Sequence, residues 1–423
     1  MPGRNKTGIK RGNRIMDQSD QKKHIRELAR QIKEFSDTPE NEARIKRWRN
    51  VNALRKPDRM PVYTFPSGDG VWREIIPEES VLCDKGCYRD IEIALRMRLY
   101  KMYVEDDEPQ PPFYPVHAVY DAIPANTWGV DVSVRESGKE GGSWGFNPAI
   151  RGPEDFSKLL APRYTYNEAK TEEKIGEIND LIGDILPAKF TNNSLLSADV
   201  GYHAALLLGF ENLLVNILAE PEFLHSVMDY LTKAIISGID GMESTGKVTP
   251  NTDGDLTYIQ YSDPIGRADD GCYSMKNCWC IASSQEFDPV SPEKWEEFSL
   301  DYQKKIFERY GLVSYGCCEN LTNKADAVMT IPNLRVFVCS PWTDLKKLIG
   351  KIGDRYVIQW RQKASDVIFC RDPEEIKKHL HEGAEILKGI PAHITLREVE
   401  TLNGNPDLQK QWVVLAKEAA AKI

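Results

Sequence analysis

The sequence predicts an α/β protein: a parallel (β/α)8 TIM barrel over residues 56–423, preceded by a basic helical extension over residues 1–55. Three observations carry this. Short apolar runs alternate with amphipathic stretches along the whole length, which is the pattern of βα units and a parallel sheet. About eight such runs are countable, and several end in polar or metal-ligating residues, as strands do at the catalytic face of a barrel. No Gly-rich phosphate loop, internal repeat or Gly-x-Ser-x-Gly elbow points to another α/β architecture.

The elements follow in order. The first twenty residues are polar and are expected to be disordered. Ile25, Leu28, Ile32 and Phe35 fall at helical spacing, so His24–Phe35 reads as an amphipathic helix. A second helix spans Glu40–Asn52, with Pro39 near its start. Pro61–Pro66 is the first strand, and Ser67–Gly70 the loop beyond it. A helix over Asp90–Tyr103 leads to a second strand, Phe113–Val119, ending near His117 and Asp121. Residues Val130–Ser143 read as a polar excursion. A helix over Asn167–Ile185, a third strand over Ala188–Ser194 and helices over Leu206–Leu218 and Pro221–Met242 come next. Alternation marks Leu256–Asp263 as a fourth strand. Ser291-Pro-Glu293 caps a helix reaching about Tyr310. Strands are then expected from Leu312, over Leu334–Pro341, Tyr356–Ala364 and His393–Val399, before a closing helix, Leu408–Ile423.

Composition sets outer bounds. With 423 residues, 41% hydrophobic and 28% charged, the chain can bury a large core. No apolar run approaches the roughly 20 residues that span a bilayer, and no apolar leader is present. The nine cysteines are accordingly expected to be reduced thiols in the cytoplasm. Residues 1–60 carry 17 Lys+Arg against 8 Asp+Glu, or +9, so a total of −9 leaves −18 on the rest. The basic arm lacks the aromatic and Gly pattern of nucleic-acid binders, and the acidic remainder argues against that role.

The richest stretch is Leu312-Val-Ser-Tyr-Gly-Cys-Cys-Glu-Asn320, where an apolar run ends in two thiols, a carboxylate and an amide. Zinc takes sulfur, imidazole nitrogen and carboxylate oxygen, and a catalytic zinc keeps three protein ligands and an open position. Cys317, Cys318 and Glu319 are therefore the expected metal ligands, with His117, Glu286, Glu398 and Glu400 as further candidates at strand ends. Side chains alternate along a strand, so two inward cysteines in succession require a bulge or a strand end. By the same rule Arg397 and Val399 face one way, and Glu398 and Glu400 the other. Cys83, Cys87, Cys278, Cys280 and Cys339 are expected to be structural.

The run Ser283-Ser-Gln-Glu-Phe-Asp-Pro-Val-Ser-Pro-Glu293, continuing through Trp295-Glu-Glu-Phe298 and Asp301–Lys305 to Tyr315-Gly-Cys-Cys-Glu319, resembles the uroporphyrinogen decarboxylase-like superfamily over about residues 55–420. That superfamily includes zinc methyltransferases acting on corrinoid-bound methyl groups. The resemblance implies a TIM barrel, a zinc element after the Ser-Pro-Glu helix, and a cobalamin-type corrinoid. This chain has no Asp-x-His-x-x-Gly corrinoid motif, so a partner protein would supply the corrinoid, or it would be free. Tyr315 stands where the methyltransferase branch has the His of His-x-Cys-Gly. Tyr63–Gly70 lacks the arginine-rich loop of true uroporphyrinogen decarboxylases.

The resulting expectation is metal-assisted methyl transfer between a small molecule and a corrinoid protein or thiol. Glu319, Glu286, His117 and Arg361 are the catalytic candidates, and Tyr63, Asp69, Trp360 and Lys363 the cofactor-binding ones. Tyr63, Phe65, Tyr258 and Trp342 are candidates for an apolar pocket wall. The alternative is a metal-independent decarboxylase of the same superfamily, using Asp69, Asp121 or Glu286 with Arg361. The resemblance also allows a homodimer.

Overall fold

The computed structural model describes residues 16–84, 86–136, 138, 144–192, 195–253, 261–268 and 271–422. Twelve strands are present among them: β1 (Val62–Pro66), β2 (Tyr114–His117), β3 (Tyr120–Ile123), β4 (Ser133–Glu136), β5 (Trp144–Asn147), β6 (Arg163–Tyr166), β7 (Ala188–Thr191), β8 (Trp279–Ala282), β9 (Leu312–Tyr315), β10 (Leu334–Cys339), β11 (Val357–Gln362) and β12 (Ala392–Val399). Six form one curled parallel sheet in the order β1-β12-β11-β10-β9-β8, with the first and last strands of the chain side by side. A second parallel pair, β2–β7, stands apart. Two antiparallel pairs, β3–β6 and β4–β5, complete the set.

The expected eight-stranded cylinder is thus a half-barrel of six strands and a separate pair among the described residues, and side chains do the work of the missing ladders. On the free edge of β1, the Val62 amide donates to Asp107 (2.7 Å) and the Thr64 amide to Asp106 (3.0 Å). The Lys101 ammonium donates to the Thr64 carbonyl. On the free edge of β8, Asn251 donates to the Trp279 carbonyl (3.1 Å) and accepts from its amide (2.8 Å). Buried backbone groups must be paired somewhere, and these carboxylates and this amide satisfy them as a neighbouring strand would.

The expected fourth strand falls mostly outside the described residues; its last three, Tyr261, Ser262 and Asp263, are not in a strand. Tyr258 and the end of the third expected strand, Ser194, also lie outside them. The strand β8 was not expected: it comes from the cysteine-bearing run around Cys278 and Cys280, and both thiols are buried. The excursion at Val130–Ser143 begins as β4, paired with β5, and its residues 137 and 139–143 lie outside the described residues.

Of the expected disordered start, residues 1–15 lie outside the described residues, whereas Gln18–Ser36 is one helix capped by Asp17. Ile25, Ala29 and Ile32 bury its inner face against the helices Cys87–Val104 and Glu168–Ile182. The next helix, Pro39–Asn52, inserts Trp48 among Tyr63, Trp279, Val336 and Val357, near the N-terminal ends of the strands. The basic extension therefore plugs one end of the sheet and leaves the other for the loops. Among the described residues no single helix is long and apolar enough to cross a membrane.

Candidate active site

The C-terminal ends of β9, β11 and β12 carry the site. The strand β9 stops at Tyr315, and Gly316 turns the chain with φ +115°. A side chain there would lie 2.9 Å from Val338 Cβ and 3.0 Å from Leu321 Cδ1, so only glycine fits the turn. Beyond it the strand alternation no longer applies, and Cys317 and Cys318 face the same place, their sulfurs 3.6 Å apart.

The third member comes from β12. Against β1, Thr64 pairs with Leu396 but Pro66 pairs with Val399, so one extra residue is accommodated between them. This bulge coincides with a left-handed Glu398 (φ +60°), a conformation costing on the order of 1–3 kcal/mol in a non-glycine residue. The expected alternation of Arg397 and Glu398 to opposite faces is broken there. Glu398 Oε1 lies 3.8 Å from Cys318 Sγ, and Arg397 lies over the Phe65 ring and 3.6 Å from the same carboxylate. The two sulfurs and a Glu398 oxygen all fall within 4.8 Å of one another.

Arg361, on β11 and 2% exposed, closes the group. Its Nη1 is 3.5 Å from Cys317 Sγ and 3.3 Å from Glu398 Oε1. The Cys317 thiol is held well below its usual pKa, first by the Cys318 thiol donating to it and then, against the opposing effect of burial, by Arg361 and Arg397. Cys318 is pushed up by the same contact, since it keeps the proton. The two thiols are thus driven in opposite directions by one contact.

Glu319 is differently employed. Its carboxylate accepts from the amides of Ser284 (3.0 Å) and Cys317 (2.9 Å), and it is 1% exposed. It fixes the turn that presents the cysteines, while the carboxylate beside the sulfurs is that of Glu398. Tyr315, where the resemblance expects histidine, is buried, and its hydroxyl meets Ser284 and Gln303. Gln303 in turn donates to the carbonyls of Ala198 and Ser283. A π-helical turn, Glu296–Leu300, lies directly before the helical turns that carry Gln303.

Two further carboxyls lie behind the cluster. Burial, with the nearby charges of Asp199, Glu319 and Cys317, pushes Glu286 up to about 7. Its Oε2 accepts no hydrogen bond. Asp199 is pushed up to about 6 by burial, although Ser283 donates to it. Asp199 did not stand out in the sequence, because a single acid before a helix matches no motif; the Ser283–Ser284 pair stood in the resembling run but without an assigned role.

The remaining candidates lie elsewhere. His117 ends β2 and is bonded to Thr191 on β7 (2.8 Å). Tyr63 is buried beneath Lys101, whose ammonium is 4.5 Å from the ring centre. Asp69 is exposed near Arg73. Trp360 packs on the outside of the sheet against His379 and Gly383. Lys363 is half exposed and paired with Asp366 (3.3 Å). Trp360 and Lys363 both border a cleft of about 520 Å³ beneath the helix Pro373–Ile386. Asp121 is an exposed residue of β3 held by Asn167 and Lys170.

The half-barrel sheet and its strand-end cluster define an α/β protein with a thiol-rich site at the C-terminal ends of parallel strands. No protein-family model matches this chain, and no curated protein does. Among solved structures, its fold is similar to that of a methyltransferase from Methanosarcina mazei, with a TM-score of 0.50 and 13% identity over 89% of this chain and 98% of that one.

Proposed function

We propose that this chain is a methyltransferase of the uroporphyrinogen decarboxylase-like superfamily, working from a zinc site formed by Cys317, Cys318 and Glu398. The carrying observation is the convergence of two sulfurs and a carboxylate oxygen within 4.8 Å. The spacing suits zinc: two sulfurs about 2.3 Å from a tetrahedral ion stand about 3.8 Å apart, and a sulfur and an oxygen about 3.6 Å. The 3.6 Å between sulfurs and 3.8 Å from Cys318 to Glu398 fit those values. Three protein donors leave one position open, as in catalytic zinc sites. The fold likeness to a methyltransferase adds support of a coarser kind.

A zinc held there would supply Lewis-acid activation of a thiol, or polarisation of a methyl-bearing group. The Cys318 contact, with Arg361 and Arg397, lowers the Cys317 pKa, which favours its ligation. The buried Glu319 holds the Gly316 turn in register, so both cysteines arrive pre-positioned. The methyl group passes between a small molecule and a thiol or a corrinoid, the latter free or on a partner protein. In this reading a reducing compartment keeps the two thiols free.

The test is metal content and methyl transfer in protein purified without chelators. About one zinc per chain is expected, lost in Cys317→Ala, Cys318→Ala and Glu398→Ala and kept in Glu319→Gln. Absence of zinc from the native protein, with activity intact, overturns the assignment.

One observation favours a second reading. The Arg361 guanidinium already bridges Cys317 and Glu398, so a cation is supplied without a metal. In that case the chain is a metal-independent decarboxylase, with Arg361 binding the substrate carboxylate. Carboxy-lyase activity in zinc-free protein, abolished by Arg361→Gln, selects it.

A further inference from the structure

A cavity of about 660 Å³ lies between the β4–β5 hairpin and the helix Phe210–Ala219, and Glu286 belongs to its wall. This volume suits a small molecule. Trp144, Phe146 and Phe210 also line it. The Trp144 and Phe146 rings stand edge to face, 5.0 Å apart at 76°. Tyr202 backs Phe146 at 5.6 Å and 81°. Trp144 is 60% and Phe210 44% exposed, an apolar exposure that a bound molecule would relieve. The charged residues of the lining are Glu211, Glu286 and Arg135.

Glu286 is the telling residue. It is 9% exposed, and its Oε2 has no hydrogen-bond partner. No basic side chain pairs with it among the described residues, although a buried carboxylate oxygen without a partner is costly. Its carboxyl also senses the charges of Asp199, Glu319 and Cys317.

We propose that this cavity binds a small zwitterion, its methylated ammonium head held by the aromatic faces of Trp144, Phe146 and Phe210 and by Glu286, and its carboxylate by Arg135. Aromatic faces attract quaternary ammonium groups through the ring quadrupole. A fully methylated nitrogen offers no N–H, which matches walls made of rings. Arg135 gives the other end of the molecule a planar, bidentate partner.

The role of this ligand as methyl donor rests on the methyl-transfer reading above; its binding does not. In the transfer, the N–CH3 bond breaks and leaves its electron pair on nitrogen. The methyl carbon takes a new pair from the acceptor, a thiolate or a reduced corrinoid, forming a C–S or C–Co bond. The amine departs neutral, so no proton is needed and Glu286 is a binding group. Loss of the positive charge removes the attraction to rings and carboxylate, which favours release of the demethylated product.

The experiment is calorimetric titration of the whole protein with trimethylammonioacetate and with its uncharged-head isostere, tert-butylacetate. The ammonium compound is expected to bind at least about tenfold more tightly. Glu286→Gln and the exposed-site variant Trp144→Ala should each weaken it by about tenfold. Cys317→Ala should bind it like the native protein. Equal binding of the two probes, no binding of either, or indifference to both pocket substitutions overturns the proposal. Selective binding with no methyl transfer in zinc-loaded protein leaves this pocket standing and counts against the methyltransferase reading instead.

Discussion

Two charge clusters sit on the same six-stranded sheet, a buried one along the free edge of β1 and a half-buried one at the C-terminal ends of β9, β11 and β12. At the edge of β1, Asp107 accepts from Arg47 (2.8 Å), from both terminal nitrogens of Arg59 (2.6 and 2.7 Å) and from the Val62 amide. Burial alone would raise its pKa, but Arg59 and Arg47 outweigh that and hold it below the ordinary carboxylate range. At the strand ends the contacts are fewer and longer, and Arg361 Nε has no partner. Glu398 sits in a left-handed conformation, and burial raises its pKa despite two nearby arginines. A saturated cluster fixes structure. An unsaturated one keeps groups in unstable charge states, which marks it as a place for ligands and chemistry.

This contrast can be broken from either side. The largest expected effect is at the thiols: Cys317→Ala should lose zinc and methyl transfer altogether while unfolding in urea near the native midpoint. Metal analysis alongside denaturation separates the two, and a large shift of midpoint would make Cys317 structural. The converse change is Asp107→Ala, which strands two arginines and the β1 edge. It should cost about 3–5 kcal/mol of stability and leave zinc content per folded molecule unchanged.

The two clusters should also respond to pH with opposite sign. Asp107 is depressed in the fold, so its contribution is present above the unfolded carboxylate value and is lost as acid takes the pH below it. Glu286 is raised to about 7, so its neutral form is the one the fold accepts. Its contribution is full below the unfolded value of 4.5 and is lost as pH climbs toward 7, on the order of 3 kcal/mol. Urea midpoints measured between these pH values should fall in the native protein and fall less steeply in Glu286→Gln, where Asp199 still titrates.

A smaller effect is expected at Arg361. In metal-stripped protein, Arg361→Gln should raise the pH midpoint of Cys317 alkylation by about one unit. No movement would mean that Cys318 alone sustains the thiolate. The smallest effect belongs to Asp69, which is exposed. Asp69→Ala should change stability by less than about 0.5 kcal/mol and leave metal content alone.

Local pattern in the sequence was enough to reveal several elements. Ile25 and Ile32 marked the inner face of the first helix, Pro61–Pro66, Leu334–Pro341 and Tyr356–Ala364 each contain an observed strand, and His393–Val399 falls within β12. The pair Cys317–Cys318 was recognisable because soft ligands at the end of an apolar run are chemically unusual. β8 was hidden because Trp279–Ala282 is only four residues long and adjoins cysteines that read as a separate feature. Asp199, and the role of Ser284, were hidden because they reach the site from 118 and 33 residues before Cys317.

The α/β character, the plugging helices and the two cysteines are legible in the chain's local pattern, because periodicity and side-chain chemistry are written locally. Which carboxylate joins them follows from long-range packing. Glu319, two residues from Cys317, is consumed by backbone amides, and Glu398, far along the chain, is swung in by a bulge set by pairing with β1. Tertiary structure also decided that the sheet edges are sealed by Asp106, Asp107 and Asn251. Register and edge pairing depend on strands distant in sequence, and no local pattern encodes them.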